Sequence, residues 1–142
     1  TSCKRFNVIY TNTSYYIGME VLHIEGTEDT PEVLLDSGNN TFSISGRSFP
    51  ENAIEFYEPI FAWLQKYAEE VENDMEFEFC MEYFNTSSSK QIAKIFLLLE
   101  KINENVFVQV IWKYKTEDSD MMASGMRFSK LLTLEFELRE VE

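Results

Sequence analysis

The sequence predicts an α/β protein: a single mixed β-sheet with packed helices, in the order β-β-β-α-β-α-β-α-β. Stretches where apolar residues alternate, such as 75–83, are interleaved with stretches where they recur at helical spacing, such as 54–71. Hydrophobic residues fill 44% and aromatics 15% of the 142 positions, which supplies a core and excludes global disorder. The length suits one domain, without internal repeat or low-complexity segment.

Each element has its own signal. Residues 20–24 and 32–36 read as short strands split by the turn-rich segment 26–31. A third strand, 41–45, follows the hairpin loop Ser37-Gly38-Asn39-Asn40, and residues 46–50 break the β pattern. From Glu51, residues such as Ile54, Tyr57, Ile60, Leu64 and Tyr67 hold one helical face, and Pro59 predicts a kink or a restart near Glu58. Asn73-Asp74 ends that helix. In the strand 75–83, Met75, Phe77, Phe79, Met81 and Tyr83 share one face, while Glu76, Glu78, Cys80 and Glu82 share the other. A second helix carries Ile92, Ile95, Phe96, Leu99 and Ile102. The strand 106–115 is apolar on one face and mixed on the other, which predicts a central position covered on both sides. Asp118 and Asp120 open a third helix through Leu131, and 132–141 is the last strand.

Counting removes several function classes. The 25 acidic and 12 basic residues give a formal charge of −13, which disfavours nucleic acid and anionic membrane surfaces as partners. One histidine, His23, excludes multi-histidine metal sites and reads as structural. Two cysteines, Cys3 and Cys80, are too few for a disulfide framework or a thiolate zinc site. No glycine pattern of a dinucleotide or phosphate loop occurs, so no cofactor, no metal and no catalytic residue is expected. The longest apolar run, 95–99, is far too short to span a bilayer, and a cytoplasmic protein with reduced thiols is expected.

Residues 1–18 stand apart. They hold Lys4 and Arg5 and no acid, so residues 19–142 carry −15. Met19 opens a stretch that reads like a chain start, and 1–18 is taken as an N-terminal extension outside the fold. An added edge strand through residues 6–10 is the rival reading. The glycosylation sequons at Asn12 and Asn85 mean little without a secretory signal.

Chemistry concentrates at Tyr83-Phe84-Asn85-Thr86-Ser87-Ser88-Ser89-Lys90-Gln91, where a strand ends, four hydroxyls follow and a helix begins. Ser88 to Gln91 has the spacing of a capping box, which makes Ser88 the expected N-cap and leaves Thr86 and Ser87 in the loop before it. A helix start offers free N–H groups and a positive dipole end, so a hydroxyl there is a sensible phospho-acceptor. Capping and turn formation alone would equally account for the hydroxyls. A carboxylate acid–base enzyme using Glu78 and Glu82 is a further alternative, and a solvated strand face is the plainer account of those residues. Glu117-Asp118-Ser119-Asp120 lacks the spacing of a calcium loop and fits helix capping.

The segments Ile24-Glu25-Gly26-Thr27, Thr30-Pro31-Glu32-Val33, Ile44-Ser45-Gly46-Arg47-Ser48-Phe49-Pro50-Glu51-Asn52-Ala53 and Phe56-Tyr57-Glu58-Pro59, with Glu82 to Lys90, resemble the SiaC family of regulatory phosphoproteins. The resemblance covers 19–142 and not 1–18. It implies a STAS-like fold, similar to anti-sigma-factor antagonists, and a bacterial signalling protein that works by partner switching. It further implies that a Ser/Thr protein kinase phosphorylates the chain and a PP2C-like phosphatase reverses this. The unphosphorylated form would bind and activate a target such as a diguanylate cyclase, in cyclic di-GMP signalling. The family's acceptor threonine falls on Thr86, with Asn85, Ser87, Ser88, Ser89 and Lys90 forming the phosphate and partner loop. A constitutive interaction module that is never phosphorylated is the alternative of a different kind.

Overall fold

Alternating strands and amphipathic helices assemble here into two layers. The computed structural model describes the backbone of residues 2–10 and 15–142, and side chains from Met19 onward; the sequon at Asn12 lies outside the described residues. The strands are β1 (Ser2–Tyr10), β2 (Tyr15–Ile24), β3 (Glu32–Asp36), β4 (Thr41–Ser48), β5 (Met75–Phe84), β6 (Val108–Lys115) and β7 (Glu135–Val141). The helices are α1 (Ala53–Ala68), α2 (Thr86–Ile102) and α3 (Ser119–Leu131). The seven strands lie in chain order in one sheet, antiparallel from β1 to β4 and parallel from β4 to β7. Beyond the expected order, an additional strand stands at the front. Residues 2–10 pair with β2 as an edge strand, so this stretch is attached to the sheet.

Each parallel connection passes through a helix, and with right-handed crossovers in consecutive order all three helices fall on one face. That face is the core. Phe42, Ile44, Phe77, Phe79, Val110 and Trp112 are buried on the strands against Tyr57, Ile60 and Leu64 of α1 and Ile92, Ile95, Phe96 and Leu99 of α2. Gly125 lets α3 press onto the sheet, since a Cβ there would sit on the Trp112 ring and 2.6 Å from Leu138 Cδ2.

Among the described residues no helix covers the opposite face of the sheet, contrary to the expectation for β6. Ile111 is buried there, flanked in register by Glu78 and Glu137, while Gln109 and Lys113 are half-buried. Mixed composition on β6 reflects a central strand whose outer face is shielded by long neighbouring side chains. At Pro59 the helix does not restart: α1 runs unbroken through it. Pro59 and Glu55, whose carbonyl loses its donor, are both exposed, so water can serve that carbonyl. Burial of Tyr57, Ile60, Trp63, Leu64 and Tyr67 holds the helix together.

Candidate functional site

Where β4 and β5 end side by side, α2 begins. The β4–β5 register steps from Gly46↔Met81 to Arg47↔Tyr83, skipping Glu82, and Gly46 takes φ +106°, a conformation that L side chains rarely adopt. Beyond this bulge Ser48 pairs with Phe84 and is fully buried.

Asn85, not Ser88, caps α2. Its side-chain oxygen accepts the Ser88 N–H at 2.9 Å, and its carbonyl accepts the Ser89 N–H at 2.9 Å. Thr86 is therefore the first residue of the helix rather than part of the preceding loop. Ser88 is drawn elsewhere. It is fully buried, and the Ser48 hydroxyl donates to its Oγ at 2.7 Å, while Tyr57 OH lies 2.7 Å from Ser48 Oγ. The Ser48 carbonyl also accepts the Asn85 N–H at 3.1 Å. Burial pushes the Tyr57 phenol up to about 12, against the opposing pull of its bonds to the two serine hydroxyls. This buried chain of hydroxyls joins the first turn of α2 to β4 and α1.

The four hydroxyls thus differ in what they can do. Thr86 and Ser87 are exposed, Ser89 is half-buried, and Ser88 is sealed off. Cap satisfaction comes from Asn85, so neither exposed hydroxyl is needed for it. The N–H groups of Thr86 and Ser87 have no intrahelical acceptor, and α2 has no acid in its first turn. Lys90 is exposed one turn along, on the same side of the helix as Thr86.

Beside this turn lies a groove of about 220 Å³ lined by Phe84, Ser89, Ser124, Arg127, Phe128 and Leu131. Arg127 donates from Nη2 to Ser124 Oγ at 3.1 Å. On β4 and the adjoining end of β5, the Arg47 guanidinium lies 5.3 Å from the Phe49 ring centre and 5.5 Å from that of Tyr83. Sequence reasoning missed Ser48, Tyr57 and Arg127 as neighbours of the first turn of α2. They lie 29 or more positions from Thr86 in the chain, and no local motif announces them.

The remaining candidates separate. Glu78 is paired with Lys113 at 2.5 Å, and Glu82 lines a depression with Cys80, Lys113, Lys115 and Asp118, in whose lining Glu78 takes no part. Asp118 caps α3, accepting the Met121 N–H at 3.0 Å, as its position predicts. His23, for which the sequence offers no evident partner, faces Glu32 across the β2–β3 pair, Nε2 to Oε2 at 3.3 Å. Among the described residues, no group of three or more His, Cys, Asp or Glu residues could hold a metal ion, and no helix is long and apolar enough to cross a membrane.

The model of the SiaC family of regulatory phosphoproteins matches residues 24–141. An uncharacterized protein of Pseudomonas aeruginosa (strain UCBPP-PA14) is 32% identical over 97 residues, which is 68% of this chain and 77% of that protein. The crystal structure of apo-SiaC from Pseudomonas aeruginosa is similar with a TM-score of 0.77 at 27% identity, covering 85% of this chain and 99% of that one. A chain in the crystal structure of the diguanylate cyclase SiaD in complex with its activator SiaC, also from Pseudomonas aeruginosa, gives 0.79 at 26% identity, covering 84% and 98%. The chain belongs to the SiaC family of regulatory phosphoproteins.

Proposed function

We propose that this chain is a non-enzymatic, cytoplasmic partner-switching regulator whose unphosphorylated form binds and activates a diguanylate cyclase, and that phosphorylation of Thr86 releases that partner. Residues 19–142 are the regulatory unit and 1–18 an N-terminal extension of it whose residues 2–10 add an edge strand to the sheet, in keeping with a family match that begins at residue 24. The observation that carries the reading is the exposed Thr86 hydroxyl at the first position of a helix capped by another residue, Asn85, with no acidic side chain in its first turn. The reported complex of the Pseudomonas SiaC with its cyclase supports the choice of partner.

A Ser/Thr kinase transfers the γ-phosphoryl group of ATP to Thr86 Oγ1; the hydroxyl proton departs and ADP is released. A PP2C-like phosphatase directs water onto the phosphorus, returning the hydroxyl and inorganic phosphate. The phosphate adds about −1.5 to −2 charges. At a helix start this is favourable by roughly 0.3–1 kcal/mol. Against a docked protein the same group is desolvated or meets like charge, at a cost of several kcal/mol. Since about 1.4 kcal/mol is tenfold, partner affinity falls roughly a hundredfold or more while the fold is untouched. Asn85, Ser87, Ser88, Ser89 and Lys90 frame the acceptor.

Mobility on a phosphate-affinity gel, with and without phosphatase, tests this in cells containing the cognate kinase. The wild-type band should shift, and Thr86→Ala should neither shift nor release the cyclase. Phosphate found on Ser87 or Ser89 by mass spectrometry would move the site. An unshifted wild-type band would instead favour a constitutive interaction module.

A further inference from the structure

Most of α2 and most of α3 are free of acidic residues. Between positions 86 and 99 and between 121 and 134 there is none, although the whole chain carries 25 acids against 12 bases. The first stretch is α2 up to Leu99, before Glu100, and the second holds α3 from Met121, after Asp120; the two helices flank the groove beside Thr86. At 100° per residue, Thr86, Lys90, Lys94, Leu97 and Lys101 fall within a sector of about 80° on α2. All five are exposed, Leu97 at 61%. On α3, Arg127 and Lys130 are exposed, and Leu131, at the groove, is 81% exposed. The acceptor threonine therefore heads a stripe of cations and apolar side chains on an otherwise anionic protein.

Resting on the switch proposed above, we infer that this α2–α3 surface is where the partner docks, and that the partner presents an acidic amphipathic segment. Its apolar side chain would sit in the groove formed by Phe84, Phe128 and Leu131, and its carboxylates would face Lys90, Lys94 and Arg127. Charge complementarity selects a protein of this chemistry, because a formal charge of −13 repels an anionic lipid surface and the groove holds about one large side chain. The position of Thr86 explains why a phosphate there is effective: it puts a dianion at the head of the stripe, neutralising the cations that the partner needs.

The test uses the full unphosphorylated chain and the diguanylate cyclase it activates, with titration calorimetry at two salt concentrations. Lys94→Glu combined with Arg127→Glu should lower affinity at least tenfold, Leu131→Asp should do the same, and wild-type binding should weaken as salt rises. Glu76→Lys, on the open face of the sheet, should stay within twofold. All the substituted positions are exposed, and unchanged melting curves check the fold. Wild-type affinity in the α2–α3 variants would overturn the assignment. So would loss confined to Glu76→Lys, or binding of the wild type to vesicles of phosphatidylglycerol and phosphatidylcholine that the charge reversals abolish. If Thr86→Glu binds as wild type while the charge reversals fail, the surface stands and the phosphorylation switch falls; the converse pattern spares the switch and rejects the surface.

Discussion

The starts of α1 and α2 are built alike and filled differently. Each is capped by an asparagine whose side chain accepts from the third residue onward, Asn52 from Glu55 and Asn85 from Ser88. In α1 that third residue is a carboxylate, a permanent negative charge on the positive end of the helix. α3 has Asp120 in its first turn for the same purpose. α2 has no first-turn acid; its third residue is a buried serine and its first is an exposed threonine. One helix start carries a fixed negative charge, and the other carries none.

The largest expected effect probes that vacancy directly. Thr86→Glu should weaken cyclase binding about a hundredfold, close to 2.7 kcal/mol. Its melting temperature should move by no more than a few degrees. A large melting shift would mean that the helix start is not vacant in the sense that separates it from α1.

The next effect concerns the chain of hydroxyls that ties the two helix starts together. Tyr57 has its pKa raised from 10.0 to about 12, so the folded form stays protonated where the unfolded chain ionises. Its contribution is whole below pH 10 and is lost as pH rises from 10 through 12, by about 2–3 kcal/mol. Denaturant titrations should show that fall in the wild type and a shallower one in Tyr57→Phe. Equal slopes would remove the phenol from the link between α1 and α2.

Smaller effects sharpen the comparison. Asn52→Ala and Asn85→Ala should each cost about 1 kcal/mol of stability by chemical denaturation. Only Asn85→Ala should also slow phosphorylation by the kinase, because it loosens the turn that presents Thr86. Smallest of all, Glu55→Gln should cost about 0.3–1 kcal/mol, whereas a carboxylate placed at Thr86 should contribute a similar amount in the opposite sense. Equal and opposite shifts in the midpoint would show that the two dipole ends differ only in occupancy.

Most of this architecture was legible because periodicity is local. Met75 to Tyr83 alternates and forms β5; the spacing of Ile92, Ile95, Phe96 and Leu99 is that of α2; and the hydroxyl cluster does lie at a helix start. What escaped depends on residues distant in the chain. Ser88 has the sequence context of a cap, yet Ser48, 40 positions earlier, claims its hydroxyl and leaves capping to Asn85. Pro59 signals a kink or a restart, and core packing on the far side of α1 carries the helix through it without a restart. The outer face of β6 looked covered because Ile111 is apolar, and its shelter comes from neighbouring side chains rather than a helix.

The strands follow one another across the sheet as they do along the chain. A growing polypeptide can therefore add each new strand to a neighbour that has already emerged, with no earlier gap to be filled later. The groove beside Thr86 needs α3, which comes after six of the seven strands. A newly made chain thus builds most of this sheet before it forms the groove beside Thr86.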